Sequence, residues 1–154
     1  MKNTRIRHLT LCVGALSVNL FWWGNRTVDR VPSLGDRVQC ELKENGMLIV
    51  SSAQIAHTCD VFVNAVTFTL GSTDGEHVSY ISVDNPRFRT PEGVSVDSTF
   101  DQVMAAGGSA PRPEPGWAFF ATLPSGWKAA YSSGQTGTER PPAGGSKVQW
   151  LFRR

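Results

Sequence analysis

Read for the alternation of apolar and polar positions, the chain divides into β-prone stretches parted by turn residues, with one helical interval. Val66-Thr67-Phe68-Thr69-Leu70 puts Val66, Phe68 and Leu70 on one face, the two-residue period of a half-buried strand. All of 59–70 is β-prone, 71–76 is turn-like, and 77–83 reads as its antiparallel partner. Earlier, 38–42 and 47–51 flank Lys43-Glu44-Asn45-Gly46, and Asn-Gly accepts the positive φ of a tight hairpin turn. A second hairpin is expected from 117–123 and 127–131 around Pro124-Ser125-Gly126. The closing stretch, 147–152, alternates Val148, Trp150 and Phe152 with Gln149 and Leu151, and its aromatic content suits a central strand. Three prolines in 110–116 lack ladder donors, so that stretch is expected outside the sheet. The Gly-, Ser-, Thr- and Pro-rich 132–146 reads as a loop.

The helical interval follows a turn at Pro91-Glu92-Gly93 and a short strand at 94–96. Ser98 has the side chain of an N-cap, and Asp101 three residues later suits a capping box and the positive helix end. Phe100, Val103 and Met104 fall at i, i+3 and i+4, one apolar stripe, and Gly107-Gly108 supplies the stop. The expected fold is α+β: an antiparallel sheet of about five to seven strands with one short helix, 99–106, packed on it.

Before these elements, Lys2, Arg5 and Arg7 precede a mostly apolar run at 9–23. Its 15 residues suit a signal segment and fall short of the roughly 20 that span a bilayer. The expected organisation is a signal peptide or N-terminal anchor at 1–24, a linker at 25–36 and one α+β domain at 37–154. Removing 1–24 takes away three of the 15 basic residues and none of the 13 acidic ones, leaving a net charge near −1. The domain therefore lacks a basic footprint for nucleic acid, and membrane contact is expected only through an uncleaved N-terminal segment. Export implies a periplasmic or extracellular address.

Two cysteines, Cys40 and Cys59, remain beyond that segment, and in an oxidising compartment they are expected to pair. The competing chemistry is a Cys59 nucleophile with His57 as its base, but no oxyanion site or orienting group is marked. His57, Cys59, Asp60 and His77 match no metal-ligand spacing, and no cofactor motif occurs. Nor does the chain carry a G-x-S-x-G elbow, a phosphate loop or a zincin helix, which points away from an enzyme.

Two features suit recognition instead. Arg87-Phe88-Arg89 places two guanidinium groups on one side of an extended segment, able to grip a carboxylate or phosphate, with Phe88 on the other. Equally, Phe88 would be core and the arginines solvated edge charges. Adjacent Phe119 and Phe120 must face opposite ways in a strand, with Trp117 beside Phe119. With one helix covering one face, rings such as Trp117 and Trp127 are left for loops, a sugar or a protein partner to cover.

The run Phe88-Arg89-Thr90-Pro91-Glu92-Gly93-Val94-Ser95-Val96-Asp97-Ser98-Thr99-Phe100 resembles a segment of small secreted bacterial proteins of unknown function. There a Thr-x-x-Gly-hydrophobic-x-hydrophobic-Gly-Ser-Thr-hydrophobic run feeds a short Gly-terminated helix, and a strand pair follows. With its helix the likeness covers about a quarter of the chain, and Asp97 stands where that run carries Gly. The resemblance implies an envelope or periplasmic address and an α+β fold, and it transfers no catalytic residue. The functional expectation is an exported, non-enzymatic envelope protein that binds a protein or a cell-wall glycan. An inhibitor or immunity-type protein acting on an envelope hydrolase is the alternative, and a small hydrolase a further one.

Overall fold

The β-prone run at 59–70 is not one strand but the middle of a long hairpin. In the computed structural model, which describes residues 26–43 and 46–154, β3 (Gln54–Val63) turns into β4 (Val66–Ser72) at Asn64-Ala65. Both turn residues have positive φ, 47° and 62°. Two such residues match the twist of antiparallel strands, and Val63 then faces Val66 across the ladder. The remaining strands are β1 (Arg26–Thr27), β2 (Met47–Ser51), β5 (Tyr80–Val83), β6 (Arg112–Glu114), β7 (Ala118–Thr122), β8 (Lys128–Tyr131) and β9 (Trp150–Arg153). They join in one sheet of order β1-β3-β4-β5-β9-β8-β7-β6, with β2 also paired to β3. β1 runs parallel to β3 and every other pairing is antiparallel.

The molecule is thus nearly all β, a curled half-barrel, and the expected α+β layer with a covering helix is wrong. Helix α1 (Phe100–Ala105) has six residues, roughly 9 Å of axis. It buries Val103 completely, leaves Phe100 half-buried and exposes Met104, so its stripe is too short to roof a sheet. The cover comes mainly from irregular chain. Val28, Val31, Val38, Cys40, Leu42 and Phe88 all pack onto the outer apolar face, which carries Val61, Val63, Val66, Phe68, Leu70, Ile81 and Leu151. The segment read as a linker thus contributes β1 and part of this cover.

The opposite face, toward which the sheet curls, carries a smaller cluster of Val50, Ala56, Tyr80, Ala130 and Phe152, with Leu48, Trp117, Phe120 and Trp150 against it. Gly71 lies under this cluster. A Cβ there would stand 3.1 Å from those of both Ala56 and Tyr80, so the strand crossing needs the missing side chain.

Several local expectations are corrected. Residues 38–42 form no strand, and β2 pairs with β3 across Ser52-Ala53. The Asn-Gly turn falls partly, and the expected signal segment 1–24 wholly, outside the described residues. Residues 94–96 form no strand, and Asp97 takes the left-handed φ of 71°. Thr99, not Ser98, caps α1: its hydroxyl accepts from Gln102 N–H, and the Gln102 side chain accepts from Thr99 N–H at 2.8 Å. Ser98 instead accepts from Ser95 N–H. The Pro-rich stretch does enter the ladder, as edge strand β6 with Pro113 opposite Phe119. An edge tolerates proline because its missing donor can face outward. The hairpin of β7 and β8 and the central place of β9, between β5 and β8, match expectation.

Candidate functional site

In the Arg-Phe-Arg segment the ring faces the core and the two arginines face solvent. Phe88 packs edge-on against Phe68, ring centres 5.2 Å apart, and against Trp127 at 4.9 Å. Arg87 and Arg89 are exposed, and Arg89 Nη1 donates to the carbonyl of Gly93 at 3.1 Å. Trp127 is buried, with the Arg153 guanidinium stacked 4.8 Å from its ring centre. Arg153 also donates to the Ser125 carbonyl, and Glu92 accepts from Ser125 N–H and Oγ. The two turns at 91–93 and 124–126 are thereby clipped together. Trp127 therefore offers no free ring to a partner.

Trp117 lies apart from these residues, on the inner side of the curl with Phe120 rather than with Phe119. It precedes β7, so strand alternation does not govern it. Its indole N–H donates to the Ile49 carbonyl at 3.1 Å. Over its ring sits the Arg154 guanidinium, 4.7 Å from the centre, which also donates to the Val50 carbonyl at 2.6 Å and pairs with Glu114. Glu114 in turn accepts from Ser52 N–H. This latch ties the β2 end of the sheet to the β6–β7 end and occupies the aromatic trough from within. Burial pulls the Glu114 carboxyl upward, but the hydrogen bonds from Arg154 and Ser52 outweigh it and hold it below the ordinary glutamate value. Lys128, whose ammonium lies over the Phe120 and Phe152 rings, is shifted downward by burial and then by Arg154.

A surface that sequence reasoning missed lies on the β2–β3 hairpin. Cys59, Val61 and Val63 alternate along the outer face of β3 and are covered by 28–42. The Cys40–Cys59 disulfide, Cα atoms 6.0 Å apart, marks where that cover ends. On the same face, His57 and Ile55 continue past it, opposite Met47 and Ile49 of β2. Here none of the described residues covers the sheet: Met47 is 63% exposed, Ile49 57% and Ile55 58%. Directly opposite side chains on an antiparallel pair stand about 5 Å apart, so the three form one apolar patch. The alternation of 47–51 marks which residues share a face. What it does not carry is that the covering chain stops one pair short of them.

Cys59 is oxidised, which removes the nucleophile of the Cys59–His57 reading. Among the described residues no three metal-ligating side chains converge, and no helix is long and apolar enough to cross a membrane. A disulfide of this kind belongs to an oxidising, exported compartment. No protein-family model, no curated protein and no solved structure matches the chain.

Proposed function

We propose that this is an exported, non-enzymatic binding protein of the cell envelope, periplasmic or extracellular, whose docking surface is the bare outer face of the β2–β3 hairpin. The observation that carries this reading is the patch of Met47, Ile49 and Ile55, a continuation of the core face left without its layer. Burying the exposed part of each side chain is worth on the order of 1 kcal/mol. Three together supply about two orders of magnitude in affinity. The partner is a protein rather than a glycan. Sugars stack on exposed aromatic rings, whereas Trp127 is buried and the ring of Trp117 is taken by Arg154. Aliphatic side chains on a sheet face fit an apolar protein surface.

The test compares the natural chain with Met47→Thr/Ile49→Thr/Ile55→Thr in gently solubilised envelope extract, by native size. Threonine keeps strand propensity while removing the apolar area. The natural chain is expected in a heteromeric complex and the triple variant, with the same thermal midpoint, as free protein. A triple variant that keeps the complex contradicts the reading. A species of twice the chain's mass with no other component makes the occupant a second copy and also contradicts it.

A further inference from the structure

The docking face leaves one exposed side chain on the same surface, His57, without a role. His57 stands opposite Met47 in the β2–β3 ladder. Thr58 N–H donates to the Gly46 carbonyl at 2.8 Å, which makes 46 and 58 a hydrogen-bonded pair. One step along, Met47 and His57 therefore form a non-hydrogen-bonded pair. In such pairs the opposed side chains come closest, with Cβ atoms about 5 Å apart. Both residues are exposed.

Their chemistry sets them apart from their neighbours. The His57 ring makes no hydrogen bond or ion pair among the described residues, whereas the His77 ring is held by Asp74 at 3.0 Å. The sulfurs of Cys40 and Cys59 are bonded to each other. Among the described residues the thioethers are thus the sulfurs left free, Met47 at 63% exposed and Met104, on α1, at 37%. At Ile49 and Ile55 the patch uses the β-branched residue that strands favour. Isoleucine at position 47 would supply the same apolar area, but no sulfur.

Thioether sulfur is a soft donor that selects copper(I), and imidazole nitrogen is also a copper ligand. Two donors suffice only for an ion that accepts two. Zinc takes four ligands, or three and a water, and no three of the described His, Cys, Asp and Glu side chains converge here. Copper(I), with a closed d shell and a single charge, accepts linear two-coordination. It then needs nitrogen and sulfur roughly 4 Å apart, twice a metal–ligand bond of about 2 Å. The three rotatable bonds of methionine let its sulfur meet a ring rooted about 5 Å away. We propose that Met47 and His57 form a copper(I) site, the ion held between the Met47 sulfur and one imidazole nitrogen of His57. The site lies on the docking face but does not rest on the docking reading, because it needs the sulfur at position 47 and docking needs only the apolar area.

The experiment titrates copper(I), kept reduced by ascorbate under nitrogen, into the exported protein. A Cys12→Ser background ensures that no free thiol competes. Silver(I), equally soft and singly charged but redox-inert, is a second probe, and zinc(II) a third. The readouts are the NMR signals of the Met47 methyl group and the His57 ring, with the Met104 methyl group and the His77 ring as internal references. Saturable shifts of Met47 and His57 at one equivalent are expected with copper(I) and silver(I), while Met104 and His77 stay unmoved. Affinity is expected to fall tenfold or more in Met47→Ile, read at the His57 ring, and in His57→Gln, read at the Met47 methyl group. Native size is measured separately on Met47→Ile, which keeps the apolar area, so a failure of docking leaves the copper(I) result standing. Shifts that never saturate, zinc(II) binding as tightly as copper(I), or unchanged copper(I) affinity in either variant overturn the proposal.

Discussion

Arg154 is the residue on which the most distant parts of the chain converge. It contacts β2 through the Val50 carbonyl, β6 through Glu114, and the rings of Trp117, Phe120 and Phe152. Arg154→Met keeps much of the stem packing but leaves Glu114 mostly buried without its cation. The expected loss is about 2 kcal/mol in denaturant unfolding, with a shift in tryptophan emission as Trp117 loses its stacked neighbour. An unchanged midpoint would show that the latch contributes nothing. Residue chemistry also decides what was legible beforehand. The Asn64-Ala65 turn escaped notice because alanine at positive φ is uncommon and gives no signal, unlike the Asn-Gly pair. Asp97 behaves differently: it takes the left-handed conformation that glycine adopts at no cost and that aspartate visits more readily than most residues. The one-residue error in the helix cap arose because Ser98 and Thr99 are both competent caps. The Gln102 side chain, reaching back to Thr99, favours the second.

At the scale of elements, local signals held where pairing is between neighbours and failed where cover is non-local. The β7–β8 hairpin and β9 carry their own alternation and turn chemistry. By contrast, an irregular segment such as 28–42 has no period to betray that it roofs a sheet, whereas the apolar stripe of a helix suggests that role. The prolines of β6 argue against a strand by a rule that holds for central strands and relaxes at an edge. The disulfide is what holds the far end of the cover to the sheet. Its 19-residue separation predicts that Cys40→Ser/Cys59→Ser is less stable by about 3 kcal/mol. Hydrogen exchange should show the loss concentrated in 28–43 and β3. Equal stability of the oxidised natural chain and the variant would refute that role.

For the whole molecule, two carboxylates clip separate turns and edges, and both have lowered pKa values. Burial raises Glu92, but its bonds from Ser125 outweigh that, as Arg154 and Ser52 do for Glu114. A depressed carboxyl pKa contributes stability that is present above the unfolded-state value of about 4.5 and lost as pH falls through the folded-state value. The thermal midpoint should therefore fall below about pH 4.5, and less steeply in Glu92→Gln/Glu114→Gln. A double variant with the same acid slope would assign the loss elsewhere. None of this closure was visible in the pattern of residues, since nothing in 47–51 or 112–117 announces that the two ends of the sheet meet. The same curl that hides the aromatic face leaves the hairpin's outer face bare among the described residues, and docking there is the proposed function. It is tested most directly by a photo-crosslinking residue at Ile55 in the exported protein, with one at exposed Ala105 as control. One discrete protein adduct is expected from position 55, absent from position 105 and lost when Met47 and Ile49 are replaced by threonine. No adduct at position 55, or the same adducts from both positions, would contradict it.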